Sequence, residues 1–235
     1  MNLYQLMIKT ITQCVMVLGL LVSASSLAEN LEKNKLAAVS NEQQTILIMG
    51  DSLSAAHNIP LDSSWPTLLS HRLVKGSKSS DGKEVSANRW RVINASISGE
   101  TTSGGAARLP ALIKQHQPDL CILELGANDG LRGQSLKRMK HNLKRMIKQC
   151  QKVEAKILLL GIWLPPNYGE KYNLAFNNVY RDLTKEFNLE FVPFFLIDVA
   201  GRDEYMQADG LHPKANAQPL ILETVWKGLS KLLIK

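Results

Sequence analysis

The sequence predicts an α/β fold, an open parallel sheet with helices on both faces. Three observations carry this. Short, largely apolar runs recur along the chain, segments with helical spacing of apolar residues lie between them, and the two alternate from residue 45 onward. A strand apolar on both sides belongs in a sheet covered on both sides, where parallel strands are found. Alternation of strand and helix is the pattern that builds such a sheet.

Taken in order, Thr45-Ile46-Leu47-Ile48-Met49 predicts the first strand, ending at Gly50. Residues 90–94 predict a second, 120–125 a third, 156–162 a fourth and 190–194 a weaker fifth. Apolar spacing predicts helices over 65–74, 104–115, 135–150, 173–187 and 214–233. The stretch Gly76-Ser77-Lys78-Ser79-Ser80-Asp81-Gly82-Lys83 reads as a surface loop, too polar to pack. No internal repeat and no second domain is visible, so residues 45–235 are expected to form one domain.

Of 235 residues, 45% are hydrophobic and 21% charged, which excludes collagen-like, coiled-coil and bulk-disordered chains. A net charge of +7 is too mild to establish a nucleic-acid partner, and none is expected. Lys9 is the only charged side chain before Glu29. The apolar run Val15-Met16-Val17-Leu18-Gly19-Leu20-Leu21-Val22 follows it, and small residues end at Ser26-Leu27-Ala28. This pattern predicts a signal peptide over 1–28, cleaved near Ala28, and a periplasmic or secreted protein. The apolar core is shorter than the ~20 residues of a bilayer span. Cys14 lies within the apolar run rather than after it, which argues against a lipoprotein anchor. Residues 29–44 are polar and read as a tether. Cleavage leaves Cys121 and Cys150, either as one disulfide or as two buried thiols; both readings stay open.

Polar or glycine-rich clusters follow three strands: Gly50-Asp51-Ser52-Leu53-Ser54 after the first, Asn94-Ala95-Ser96-Ile97-Ser98-Gly99-Glu100-Thr101-Thr102 after the second and Gly126-Ala127-Asn128-Asp129-Gly130 after the third. Asp209-Gly210-Leu211-His212-Pro213 precedes the last helix. A parallel sheet brings such strand ends to one edge, where ligands bind. A serine at a strand-to-helix turn still needs a base, because a free hydroxyl is a weak nucleophile. His71, His116 and His141 fall on polar helix faces and read as solvated; His57 lies in the loop after the serine with nothing evident to orient its ring. His212 alone has a carboxylate, Asp209, three residues earlier. Asp209 can accept from one ring nitrogen while the other faces Ser52, as in a serine triad. Taken alone, Asp-x-x-His is as well explained by a turn before a helix. Gly99 and Asn128 would supply a backbone N–H and a side-chain amide to an oxyanion, although Asn128 alone is as easily a turn residue. A metallohydrolase using Asp51, Asp129 and His212 is the poorer alternative, because these residues lack metal-ligand spacing. No metal or cofactor is expected.

In this order and on this scaffold, the four clusters resemble the blocks of the SGNH (GDSL) hydrolase superfamily, and most closely the bacterial periplasmic thioesterase I/protease I/lysophospholipase L1 group. Asn128-Asp129-Gly130-Leu131-Arg132-Gly133, Arg108-Leu109-Pro110-Ala111-Leu112 and Leu164-Pro165-Pro166-Asn167-Tyr168-Gly169 share in the likeness, which runs from about Thr45 to the C-terminal helix. The resemblance implies a flavodoxin-like three-layer sandwich with strand order 2-1-3-4-5. It implies Ser52 as nucleophile, His212 as base and Asp209 as its orienting acid, with oxyanion donors from Ser52, Gly99 and Asn128. Ala55-Ala56-His57-Asn58 departs from the group, which tends to have a glycine and an aromatic residue there. The loop after His71 is also longer and more basic than the group suggests.

The function expected is a serine esterase cleaving acyl esters and thioesters, lysophospholipids included, with Leu131, Leu164, Pro165 and Tyr168, beside Ile162, forming an apolar trough. A carbohydrate O-acetylesterase on the same fold and a non-catalytic lipid-binding module are the alternatives. A monomer is expected, acting on a small substrate. Lys137, Arg138, Lys140, Lys144, Arg145, Lys148 and Lys152 crowd the polar face of the 135–150 helix. That face is either merely solvated or a peripheral contact with anionic membrane.

Overall fold

The computed structural model describes residues 43–234, so the expected signal peptide and all but the end of the tether lie outside the described residues. Gln44, assigned to the tether from sequence, already belongs to the sheet. Five parallel strands form that sheet: β1 (Gln44–Gly50), β4 (Trp90–Asn94), β5 (Leu120–Glu124), β6 (Lys156–Leu160) and β7 (Glu190–Val192). Their spatial order β4-β1-β5-β6-β7 is the expected 2-1-3-4-5 among these five. Ile46, Leu47, Ile48 and Met49 are all fully buried, as are Leu120 to Leu123. Such consecutive burial needs cover on both sides of the sheet, and each side chain of this kind contributes about 1.5–3 kcal/mol.

Helices supply the cover in two groups. α1 (Trp65–Lys75) packs against the C-terminal helix α6 (Gln218–Leu233). α2 (Thr102–His116) packs against α4 (Leu136–Gln151), which packs against α5 (Glu170–Phe187). A five-residue helix, α3 (Ala127–Leu131), not anticipated from sequence, follows β5. α6 starts at Gln218, after a single 3-10 turn over Ala215–Ala217, rather than at Lys214. β6 and β7 are shorter than expected. A Cβ on Gly161 would lie 2.4 Å from the Pro193 carbonyl, and Pro193 has no N–H to continue a ladder.

The stretch 76–83 was expected to be an unpacked loop, and here the structure differs. It forms an antiparallel hairpin, β2 (Ser77–Lys78) with β3 (Glu84–Val85), seated on α6. Trp226 Nε1–H donates to the Lys78 carbonyl (2.9 Å), the Ser80 N–H donates to Ser230 Oγ (3.1 Å), and Val85 is buried. Polar composition concealed this because much of the packing runs through backbone groups.

Register sets up the functional edge. Ile48 pairs with Asn94 on one side and Ile122 on the other, while Gly50 pairs with Glu124. The carboxyl ends of β1, β4 and β5 therefore come level. Cys121 and Cys150 are both buried free thiols that sit beside one another. That contact and burial push the Cys150 thiol well above its ordinary range.

Candidate active site

The chain turns sharply where β1 ends. Asp51 Oδ1 accepts the Leu53 N–H (3.0 Å), and the Asp51 carbonyl accepts the N–H groups of Ser54 (3.2 Å) and Ala55 (3.0 Å). Such side-chain closure is what aspartate supplies to a tight turn. It presents Ser52 half-buried at the sheet edge.

Ser52 Oγ lies 2.9 Å from His212 Nε2, and His212 Nδ1 lies 2.7 Å from Asp209 Oδ2. Asp209 Oδ1 accepts the N–H groups of Leu211 (2.9 Å) and His212 (3.0 Å). Partial burial alone would raise the Asp209 carboxyl, but the His212 N–H and ring and the Leu211 N–H outweigh it and bring it down to about 2. An ionised Asp209 holds the proton on Nδ1 and leaves Nε2 free to accept from the Ser52 hydroxyl. Gln207 ties this loop to the serine loop, its Nε2 donating to the carbonyls of His57 (2.9 Å) and Pro213 (3.1 Å).

The departure at residues 55–58 has a local explanation. Ala56 and Asn58 adopt left-handed backbone (φ 58° and 54°), and Ala56 holds a conformation that glycine takes at least cost. Between them His57 lays its ring against His212, with centroids 4.2 Å apart. The His57 ring is thus oriented by His212 and by its neighbour Asn58, whose Nδ2 lies 3.2 Å from His57 Nε2.

Gly99 occupies the loop after β4 with φ 78°, a conformation that disfavours any side chain. The loop is anchored by the Ile97 N–H on the Gly50 carbonyl (3.1 Å) and by Arg108 of α2, which donates to the Ala95 carbonyl (2.8 Å) and to the Glu100 carboxylate. After β5 the chain turns at Gly126, where a Cβ would fall 2.3 Å from the Tyr180 hydroxyl. Asn128 then lies in the first turn of α3. Its Nδ2 donates to Asp51 Oδ2 (3.1 Å), and its Oδ1 accepts from Arg132 Nη2 (3.4 Å), which also donates to the Gly99 carbonyl (3.1 Å). Asp129, an alternative metal ligand from sequence, accepts the N–H (2.8 Å) and hydroxyl (2.6 Å) of Thr102 instead. It fastens α3 to the start of α2.

Ser52, Asn128 and His212 open into a cavity of about 470 Å³. Leu131, Leu164, Pro165 and Ile162 line it, as their positions suggested. Tyr168 is placed outside the lining; its hydroxyl donates to the Leu131 carbonyl (2.8 Å), so it supports that wall from behind. Sequence reasoning missed Phe194, Leu196, Ala200 and Met206, which also line the cavity, and Trp163, which stacks on Phe194. No motif marks that segment; its apolar side chains read as ordinary core.

The pattern of the GDSL-like Lipase/Acylhydrolase family matches residues 48–218. Esterase TesA of Pseudomonas aeruginosa is 46% identical over 190 residues, 81% of this chain and 90% of that one. Thioesterase 1/protease 1/lysophospholipase L1 of Escherichia coli strain K12 is 43% identical over 189 residues, 80% of this chain and 85% of that one. The crystal structure of the psychrotrophic esterase EstA from Pseudoalteromonas sp., inhibited by monoethylphosphonate, is similar with a TM-score of 0.72 at 39% identity, covering 81% of this chain and 99% of that chain. This chain belongs to the GDSL-like lipase/acylhydrolase family. It is a hydrolase acting on ester bonds.

In this family member a second carboxylate sits beneath the motif serine. Glu124, buried at the end of β5, accepts the Asp51 N–H (3.2 Å) and the Ser54 hydroxyl (2.7 Å). Burial pushes the Asp51 carboxyl up to about 6, with Asp129 adding to the rise, against the opposing Leu53 N–H, Asn128 amide and His212. Burial and the Asp51 charge raise Glu124 well above the ordinary carboxylate range. Both folded-state values lie above the unfolded ones, so the fold favours the protonated acids. The resulting penalty is absent in acid and grows as pH rises through the unfolded range toward the folded values. Glu124→Gln, an uncharged isostere, should therefore melt close to wild type at pH 4 and progressively above it between pH 4.5 and 8. Thermal unfolding of both proteins across that range checks this; a difference that shrinks with pH would refute it.

Proposed function

We propose that Ser52 is the nucleophile of an acyl-transfer mechanism, with His212 as base and Asp209 as its orienting acid. The observation that carries this reading is the unbroken relay Oγ–Nε2 (2.9 Å) and Nδ1–Oδ2 (2.7 Å) at the mouth of an apolar cavity. Ser52 Oγ attacks the ester or thioester carbonyl carbon as its proton passes to Nε2. The N–H groups of Ser52 and Gly99 and the Asn128 amide stabilise the oxyanion. His212 returns the proton to the leaving alkoxide or thiolate, leaving an acyl-serine. Water, deprotonated by His212, then releases the acid and restores Ser52. Ser52→Ala should lower kcat by ~10³-fold or more with an unchanged melting temperature, and Asn128→Ala by ~10²-fold with little change in KM. A Ser52→Ala protein that kept a tenth of wild-type activity would remove Ser52 from the chemistry.

The substrates proposed are acyl esters and thioesters carrying more than an acetyl group, lysophospholipids among them. The names of the similar enzymes support the class: one is an esterase, another a thioesterase and lysophospholipase. Chain length is argued from the cavity, whose apolar walls of Leu131, Leu164, Phe194 and Leu196 offer an acetyl-sized group little to pack against and a longer chain much. On p-nitrophenyl esters kcat/KM should rise from acetyl toward hexanoyl and beyond. A maximum at acetyl, or preference for an acetylated sugar, would instead assign the O-acetylesterase.

The protein is proposed to act as an exported monomer, its signal peptide removed near Ala28, in peripheral contact with anionic lipid through α4. Arg145, Lys148 and Lys152 line one shallow groove of that helix with His141 and Lys144. α5 neutralises part of the face, since Lys140 pairs with Asp182 (2.6 Å) and Lys144 with Glu186. At about 1 kcal/mol per basic side chain at the lipid surface, three or four cations suffice for salt-sensitive attachment. Residues 29–235 should co-sediment with phosphatidylglycerol vesicles at low salt and release at 1 M salt, where the Debye length is ~3 Å. Gln at Arg145, Lys148 and Lys152 should weaken binding more than Gln at Lys144. Equal binding to neutral vesicles would reduce the face to a solvated surface.

A further inference from the structure

Arg132 lies at the end of α3, exposed, in a block where Asn128, Asp129 and Leu131 were weighed for roles from sequence and the arginine was not. In the structure one guanidinium nitrogen does two things. Nη2 donates to the Gly99 carbonyl (3.1 Å) and to Asn128 Oδ1 (3.4 Å). Gly99 and Asn128 come from different strand ends, and among the described residues no hydrogen bond joins them directly. Arg132 is their bridge.

The consequence for Asn128 follows from charge. Its Nδ2 faces the Asp51 carboxylate and its Oδ1 faces the guanidinium. A flipped amide would set N–H against the cation and C=O against the carboxylate, so only one orientation is favourable. One Nδ2 hydrogen is engaged by Asp51, and the other is available to an oxyanion. Drawing electron density toward Oδ1 also makes that remaining N–H a stronger donor. For Gly99, a left-handed residue in a loop, the same nitrogen fixes the carbonyl of the peptide that follows it, and so restrains from one side the residue whose own N–H is the donor.

We propose that Arg132 is the positioning residue of the oxyanion hole, clamping Gly99 and Asn128 in register so that both donors are aimed before substrate arrives. This rests on the reading of those two residues as oxyanion donors. Preorganised donors act without reorganisation during the reaction, so a loosened pair should lose rate rather than affinity.

The test uses residues 29–235, with p-nitrophenyl butyrate as a neutral substrate and lysophosphatidylcholine as a phosphate-bearing one. Arg132→Ala should lower kcat about 10- to 50-fold on both, less than the ~10²- to 10³-fold cost of deleting a donor outright, with KM within about twofold. Guanidinium ion below denaturing concentrations should restore kcat several-fold in Arg132→Ala but not in wild type or Asn128→Ala. Arg132→Lys should recover part of the loss, because an ammonium keeps charge and donors without the planar fork. In an Asn128→Ala background, Arg132→Ala should cost markedly less than it does alone, since the two act as a unit. Matching melting temperatures exclude a folding defect, and a failed fold in Arg132→Ala leaves Arg132→Lys and the wild-type comparison to decide. An unchanged kcat, or fully additive losses without guanidinium rescue, would overturn the proposal. So would a rise in KM confined to lysophosphatidylcholine, which would make Arg132 a phosphate-binding residue. The underlying reading fails separately, through an active Ser52→Ala or an Asn128→Ala protein with unaltered kcat.

Discussion

Two carboxyl groups, Asp51 and Glu124, lie buried side by side beneath the turn that carries Ser52, and the site is organised around satisfying them. Burial out of water disfavours the charged form of both acids, and the Asp51 charge adds to the effect at Glu124, so the pair stays protonated further up the pH scale than exposed acids do. What makes the arrangement tolerable is its partners. Asp51 receives the Leu53 N–H and the Asn128 amide; Glu124 receives the Asp51 N–H and the Ser54 hydroxyl. Each of those bonds ties the serine turn to a different strand end or closes the turn itself. The cost of burying acid is offset by rigidity at the place where geometry matters.

From this centre the hydrogen bonds run outward as a continuous chain. Asp51 orients Asn128, Asn128 meets Arg132, and Arg132 reaches Gly99. Asp129 holds α3 against the start of α2 through Thr102, and Asn142 of α4 donates to the same threonine hydroxyl (3.1 Å). Arg108 returns from α2 to the Gly99 loop. Gln207 closes the circuit between the His212 loop and the serine loop. Four segments far apart in sequence are thereby held as one rigid edge, the condition for donors to stabilise a developing charge without rearranging.

Beside this polar network lies its opposite, a cavity walled by aliphatic and aromatic side chains. In the proposed mechanism the two are complementary: the network would supply a hydroxyl with a paired base, and the cavity would supply affinity for an acyl chain. Tyr168 and Tyr172 link them, donating to the Leu131 and Gly130 carbonyls so that the α3 end bearing Arg132 and the cavity wall move together.

Much of this was legible in the sequence. Apolar runs dictated buried parallel strands, their alternation with helical spacing dictated the layers, and chemistry-bearing clusters at strand ends marked the edge where a site would form. A strand-end serine and an Asp-x-x-His spacing made Ser52, His212 and Asp209 candidates, but that spacing alone fits a turn as well, and it was the resemblance of the ordered clusters to the SGNH hydrolases that put the three together. The remainder depended on contacts between residues distant in the chain. The hairpin at 77–85 packs through backbone groups that carry no compositional mark. The unforeseen part of the cavity lining is made of residues indistinguishable from core. Glu124 carries no mark beyond being polar within a strand, and only register places it opposite Gly50. Nothing in the sequence marks Arg132, and only folding brings Gly99 within its reach. Sequence determined which elements form and which chemistry was on hand, because those follow from local periodicity and residue type. Only tertiary structure decided which groups meet, because burial, register and charge pairing are properties of the assembled fold.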